Sequence, residues 1–321
     1  MKVLVTGKLP DEIISTLNQR HDVVANRFDF PMPREEVIEQ VRDKDGLLCM
    51  ITDRIDDELM EQAPGLRMIA NYGVGYDHID LASATARGIW VSNTPGVLTD
   101  ATAEVALALI LSVARRVVEG DAIVRTGKFG NWAPMLFLGT EVSGKTLGIV
   151  GLGQIGKAVA RRAAGFSMRI LYHNRSRIPE DEEKALNATY VDLKTLLSES
   201  DFVSLHVSLN EQSRHLIGPE ELRLMKPTSY LINVSRGPVI DETALVAALQ
   251  DGRPAGAGLD VYENEPEQAP GLTDLSNVVL LPHVGSATVE TRRRMASLAV
   301  ENLLQGLEGT PPPNRLNCGF R

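Results

Sequence analysis

Leu147-Gly148-Ile149-Val150-Gly151-Leu152-Gly153-Gln154-Ile155-Gly156-Lys157-Ala158-Val159-Ala160 is the stretch from which the rest of the chain can be read. An apolar strand over 147–150 runs into a G-x-G-x-x-G turn, and the residues after it predict a helix over 154–164. Three glycines at this spacing also occur in ordinary Gly-rich loops; the strand before them and the helix after them give the run its meaning. Gly151 permits the tight turn, Gly153 lets main chain approach a pyrophosphate, and Gly156 lets the helix pack on the strand. Leu152, Gln154 and Ile155 complete the turn, and the helix N-terminus offers free N–H groups and partial positive charge to phosphates. The stretch predicts dinucleotide binding.

About 20 residues on, at the end of the next strand, an acidic residue would hold the adenosine 2′-hydroxyl and repel a 2′-phosphate. The chain reads Asn174-Arg175-Ser176-Arg177 there, and no acidic residue occurs between Gly156 and Glu180. Arg175 and Arg177, with the Ser176 hydroxyl, suit a 2′-phosphate through charge-assisted hydrogen bonds, so NADP(H) is expected ahead of NAD(H). The alternative is that the arginines decorate a solvated loop while Asn174 accepts NADH.

The same alternation of strand and helix extends in both directions. Apolar runs at 2–6, 22–26, 46–51, 68–71 and 89–92 predict strands, separated by helices over 11–19, 34–42, 56–62 and 81–87. Asp11 and Asp56 stand where N-caps are expected. A long buried helix is expected over 100–125, then a Gly/Pro-broken loop over 129–140 that contains Trp132. Beyond the glycine turn, strands are expected at 168–172, 202–206, 230–234, 257–259 and 278–281, with helices over 192–198, 242–250 and 289–306. Pro311, Pro312 and Pro313 keep the tail from residue 310 to 321 out of helix. Strands alternating with helices imply βαβ units, hence a doubly wound α/β protein with parallel sheets.

With 321 residues, two domains are expected. A composition 43% hydrophobic and 23% charged excludes wholesale disorder. The net charge of −9 argues against nucleic acid or an anionic membrane as partner. Cys49 and Cys318 are too few for a disulfide framework or a Cys-rich zinc site, no His pair has zinc-ligand spacing, and no metal is expected. Cys49, inside an apolar run, is expected to be a small core residue. The run 105–114 is far too short to span a bilayer and the start lacks a signal-peptide pattern, so a cytoplasmic chain is expected.

Three polar residues follow apolar strands in the second half: Arg236 after 230–235, Glu265 after 258–262, and His283 after 278–282. Ligands of open parallel sheets bind beyond the carboxyl ends of strands. An Arg, a carboxylate and a His converging there suit reduction of a 2-oxo acid. Hydride arrival at a carbonyl carbon develops negative charge on oxygen, which a proton donor and a fixed cation stabilise. A carboxylate beside an imidazole favours the protonated form, a task for which Glu265 is suited. Glu263 competes with Glu265 for that role, and His206, which also ends a strand, competes with His283.

Five ordered blocks carry a family resemblance. They are Asn71-Tyr72-Gly73-Val74-Gly75-Tyr76-Asp77, the glycine turn, Asn233-Val234-Ser235-Arg236-Gly237, Asp260-Val261-Tyr262-Glu263-Asn264-Glu265-Pro266, and Pro282-His283-Val284-Gly285-Ser286-Ala287-Thr288. Together they resemble the D-isomer-specific 2-hydroxyacid dehydrogenases over essentially the whole chain. Within that family, Trp132-Ala133-Pro134-Met135-Leu136-Phe137-Leu138-Gly139 and the arginine-bearing loop are most similar to the glyoxylate/hydroxypyruvate reductases.

The resemblance implies a Rossmann nucleotide-binding domain over 99–286, inserted in a flavodoxin-like substrate domain made of 1–98 and the returning segment 287–321. It also implies a homodimer. Arg236 would hold the substrate, His283 would be the acid and Glu265 its partner. Main-chain N–H groups of Val74 and Gly75 would take the substrate carboxylate, with Ser286 nearby. His206, Val234 and Ser235 would line the cofactor site, His206 otherwise being a core histidine. Asp260 would meet the nicotinamide carboxamide, or serve only as a turn acceptor. Trp132 would reach a neighbouring protomer's substrate site, or be a buried loop anchor.

The expected reaction is NAD(P)H-dependent reduction of glyoxylate to glycolate and hydroxypyruvate to D-glycerate. A 2-ketogluconate reductase or another D-2-hydroxyacid dehydrogenase is the nearest alternative. A dinucleotide-sensing co-repressor is remote, because the chain shows no long disordered extension for partner recruitment.

Overall fold

The computed structural model describes residues 1–318. The chain divides into two compact units, Met1–Leu98 with Ala287–Arg321, and Thr99–Ser286.

The first unit holds five strands: β1 (Lys2–Val5), β2 (Asp22–Ala25), β3 (Gly46–Cys49), β4 (Met68–Asn71) and β5 (Trp90–Ser92). All pair in parallel, in the order β2-β1-β3-β4-β5. β1, β3 and β4 are apolar and buried almost throughout, as strands covered on both faces must be. The helix Val289–Leu307 packs on β3, β4 and β5. It approaches so closely that a Cβ on Gly306 would lie 2.5 Å from the Met68 sulfur. Cys49 is fully buried in this core.

Seven strands form the second sheet: β6 (Thr146–Val150), β7 (Arg169–His173), β8 (Ala188–Tyr190), β9 (Phe202–Leu205), β10 (Tyr230–Asn233), β11 (Gly256–Leu259) and β12 (Val278–Leu280). Their order is β12-β11-β10-β9-β6-β7-β8, all parallel, so the winding reverses between β6 and β9. Register aligns the strand ends: Val150 lies opposite His173 and Leu205, and Asn233 opposite Leu205 and Leu259. The residues that follow these ends therefore share one rim of the sheet. This is the doubly wound dinucleotide-binding arrangement, extended by one strand.

Two local expectations fail. The helix expected over 100–125 is two helices, Thr99–Arg115 and Val117–Arg125, because Arg116 adopts left-handed backbone (φ 55°). Its guanidinium bonds Glu119 and lies over the Phe137 ring, which fixes the break. The first helix is buried against β10, β11 and β12, while the second buries none of its residues. Asp11 is not an N-cap; Pro10 holds that position and Asp11 is the first helical residue, where its charge still suits the helix N-terminus. Asp56 does cap, accepting from the Leu59 N–H. The short elements Glu180–Leu186, β8 and Pro219–Leu224 were not legible as periodic runs. Residues 319–321 of the tail lie outside the described residues.

Candidate active site

The glycine turn follows β6 at the point where the sheet winding reverses. Gly151 has φ +98°, and a Cβ there would lie 2.8 Å from the His206 carbonyl carbon and oxygen. On Gly156 a Cβ would come within 2.4 Å of the Gly151 oxygen. Around Gly153, the N-cap of the helix Gln154–Ala163, a Cβ would meet nothing within 4 Å. Main chain thus crowds two glycines and leaves the third facing open space at a helix N-terminus, the arrangement a pyrophosphate needs.

Asn174 accepts from the Leu152 N–H through Oδ1 at 2.6 Å, so its side chain braces the turn. Arg177 makes two bonds to Glu183, at 2.8 and 2.7 Å, and Tyr172 donates to the same carboxylate. These bonds hold the Glu183 carboxyl down at about 2. Of the two arginines expected at a 2′-phosphate, then, Arg177 is already paired. Arg175 is exposed, with one long contact of 3.4 Å to Gln212, and Ser176 is exposed beside it. His206 bonds Ser204 through Nε2 at 2.8 Å, while its Nδ1 is buried without a partner. Burial drives its pKa to about 3, so the ring is neutral at ordinary pH.

The other candidates stand two to four strands away on the same rim. Asn233, fully buried at the end of β10, accepts from both the N–H and the hydroxyl of Ser235 and donates to the Arg236 carbonyl. This staples the turn from Val234 to Arg236. Glu265 lies beyond β11 and His283 beyond β12, with His283 Nδ1 2.7 Å from Glu265 Oε2. The second Glu265 oxygen accepts from the Tyr262 N–H at 3.0 Å. Burial pushes the Glu265 carboxyl up, but the His283 bond, the charge of His283 and that of Arg236 outweigh it, leaving the group below its ordinary range. Glu263 points elsewhere, to His215 at 2.6 Å.

His283 sits in left-handed backbone (φ 53°), and Asp260 accounts for how it stays there. The Asp260 carbonyl accepts from the His283 N–H, and its two carboxylate oxygens accept from Val284 at 2.7 Å and Gly285 at 2.8 Å. Asp260 thus braces this turn and is almost fully buried. Burial raises its carboxyl against these bonds. Ser286 follows directly, half-buried.

Val74 and Gly75 belong to the first unit, after β4. The Asn71 amide donates to the Gly73 and Gly75 carbonyls, and the Asn93 amide donates to that of Val74. With those carbonyls tied back, the N–H groups of Val74 and Gly75 have no acceptor among the described residues. Paired free N–H groups of this kind make an anion cradle. Trp132 is 79% exposed, which removes its reading as a buried anchor. Sequence reasoning named Asn174 only as a cofactor contact, and it missed the bracing roles of Asn71, Asn93 and Asn233. The available signal was an asparagine at or just after the end of an apolar strand, where a polar side chain must find main-chain partners.

A sheet that carries a dinucleotide turn where its winding reverses, with a braced histidine and an arginine on the same rim, defines a nicotinamide-dinucleotide oxidoreductase. No group of three or more His, Cys, Asp or Glu among the described residues could hold a metal. Residues 107–285 match the family model described as the D-isomer specific 2-hydroxyacid dehydrogenase NAD binding domain. A glyoxylate reductase of Thermococcus litoralis is 52% identical over 98% of this chain and 96% of its own. A crystal structure of a Thermus thermophilus protein superposes with TM-score 0.92 at 47% identity, covering 99% of this chain and 100% of that one. An NADPH-dependent glyoxylate/hydroxypyruvate reductase of Sinorhizobium meliloti, solved with NADP and malonate, gives TM-score 0.87 at 34% identity over 98% and 96% of the two chains. The chain belongs to the D-isomer specific 2-hydroxyacid dehydrogenase family, whose chemistry is hydride exchange between a nicotinamide dinucleotide and a 2-oxo acid.

Proposed function

We propose that this enzyme is an NADPH-preferring glyoxylate reductase that also reduces hydroxypyruvate to D-glycerate. The observation that carries the reading is the 2.7 Å His283–Glu265 pair on the rim that also holds Arg236. The substrate assignment leans on relatives of about half identity that bear the glyoxylate reductase name. Preference for NADPH is supported by the exposed Arg175 and by the lack of an acidic residue in its loop.

When bound, the reduced nicotinamide supplies the hydride. The chain does the rest. With Nδ1 engaged by Glu265, Nε2 is the nitrogen of His283 left to hand a proton to the carbonyl oxygen. Arg236 neutralises charge on the substrate carboxylate and on the developing alkoxide. The N–H groups of Val74 and Gly75 hold a carboxylate oxygen, and Ser286 adds a polar contact. In this reading, residues 1–98 with 287–321 form the substrate domain and 99–286 the nucleotide-binding domain, where Leu152, Gln154, Ile155, Val234, Ser235 and His206 line the cofactor.

The proposed assembly is a cytoplasmic homodimer. Val117, Val118 and Val124 on the unburied helix, together with Phe129, Trp132, Met135, Leu136 and Leu138 in the loop beyond it, are each more than half exposed. An apolar surface of that kind favours a protein partner.

The test is a matrix of glyoxylate, hydroxypyruvate, pyruvate and 2-ketogluconate against NADPH and NADH, followed at 340 nm. Fast oxidation of NADPH with the two small acids supports the proposal, whereas activity confined to 2-ketogluconate keeps the mechanism and discards the substrate. His283→Ala should abolish reduction while retaining dinucleotide binding; near-normal turnover would remove the proposed acid.

A further inference from the structure

Glu242 is a buried carboxylate that the reaction as described does not use. It opens the helix Glu242–Gln250, but the capping bond there comes from Asp241, which accepts from Ala244. The Glu242 side chain turns away from its own helix. Oε2 accepts from the Glu263 N–H at 2.6 Å and Oε1 from the Ala269 N–H at 2.9 Å. In sequence those two donors flank Glu265. The exchange is reciprocal, since the Glu242 N–H donates to Glu263 Oε2 at 3.3 Å. The other Glu263 oxygen is 2.6 Å from His215 Nε2. His215, in left-handed backbone (φ 52°), donates its own N–H to the Pro238 carbonyl, two residues after Arg236.

Burying a carboxylate is expensive unless both oxygens are satisfied, and an alanine would open this helix as well. The bonds that Glu242 makes tie a loop that otherwise has little regular structure. We propose that Glu242, with Glu263 and His215 behind it, is a positioning residue that sets the loop carrying Glu265 and so holds that carboxylate against His283. This rests on the assignment of Glu265 as partner of the acid. The charged and titratable groups facing Glu265 are His283, Arg236, Asp260 and Tyr262, and none of them touches Glu242 through a hydrogen bond.

The experiment compares pH profiles of kcat/KM for NADPH-driven reduction of the best 2-oxo acid in wild type, Glu265→Gln, Glu242→Gln and the double variant. An opposite charge a few ångströms away shifts a titration by about 1–3 units, so Glu265→Gln should move the alkaline limb to lower pH by about one unit. Glu242→Gln keeps the side-chain shape but faces one main-chain N–H with an amide NH₂. It should move the limb in the same direction, leave the NADPH Kd unchanged, and add nothing in the Glu265→Gln background. A Glu242→Gln enzyme with a lowered Tm but a wild-type limb overturns the proposal, as do additive shifts in the double variant. If Glu265→Gln itself leaves the limb in place, the assignment of Glu265 falls, and the positioning role with it. His215→Ala perturbs the exposed end of the same chain of bonds and should give a smaller shift of the same sign. It serves as the second variant if Glu242→Gln does not fold.

Discussion

Gly237 couples the two loops that carry Arg236 and Glu265, and its replacement by alanine tests how tightly. A Cβ at this position would lie 1.8 Å from both the carbonyl carbon and oxygen of Tyr262, and 2.4 Å from the Glu263 nitrogen. Real Cβ contacts are essentially never closer than 3.0 Å. The turn at Gly237 and the 262–263 peptide must therefore separate by more than about 1 Å in Gly237→Ala, as main chain against main chain leaves no flexible side chain to yield. That displacement exceeds what the 3.0 Å Tyr262–Glu265 bond tolerates. Either Glu265 leaves His283 or the Arg236 turn moves.

A misplacement of about 1 Å costs roughly 10²-fold in rate, which is about 2.7 kcal/mol of barrier at about 1.36 kcal/mol per decade. Overpacking adds about 1–3 kcal/mol of destabilisation. Steady-state kinetics should show kcat/KM down by about 10²-fold. Gly165→Ala, where a Cβ meets nothing within 4 Å, is the control and should behave as wild type. A folded Gly237→Ala enzyme with unchanged kcat/KM would refute the argument.

Arg175→Ala should lower kcat/KM for NADPH while sparing NADH, whereas Arg177→Ala should lower Tm with the NADPH-to-NADH ratio little changed, because its guanidinium is committed to Glu183; equal effects on the ratio would contradict the division. The Glu183 carboxyl, held down at about 2 against an unfolded value of about 4.3, contributes stability above about pH 4.3 that is lost as pH falls toward 2. Glu183→Gln should accordingly lower Tm at neutral pH by an amount that shrinks as the buffer is taken down through pH 4 and 3; a constant gap would exclude the linkage. Sedimentation velocity should find the proposed homodimer in the wild type and a monomer once Val118→Glu is combined with Val124→Glu on the helix that buries nothing; a monomeric wild type would remove the proposed assembly, and a dimer that survives both substitutions would place its interface elsewhere.

Much of the molecule is written locally. The glycine turn is legible because two of its glycines answer a local demand, a positive φ at Gly151 and crowding by the Gly151 carbonyl at Gly156. Strands that are apolar end to end announce a parallel sheet covered on both faces, and Arg236, Glu265 and His283 could be picked out because each closes such a run. The break at Arg116 was illegible for the opposite reason. Nothing in the Ala/Leu/Val pattern marks it, and the partners that hold it include Phe137, beyond the helix.

By itself the sequence determined the fold class, the dinucleotide turn and the residue types at the strand ends, because backbone sterics and burial periodicity act over a few residues. Tertiary structure alone decided which side chains those residues meet. Glu263 turns to His215, Arg177 is taken by Glu183 while Arg175 stays exposed, and Asp260 holds the His283 turn. Each of these outcomes depends on strand register and on loops that approach from distant parts of the chain. A hydrogen bond whose strength fades within a few tenths of an ångström is fixed only when those elements pack.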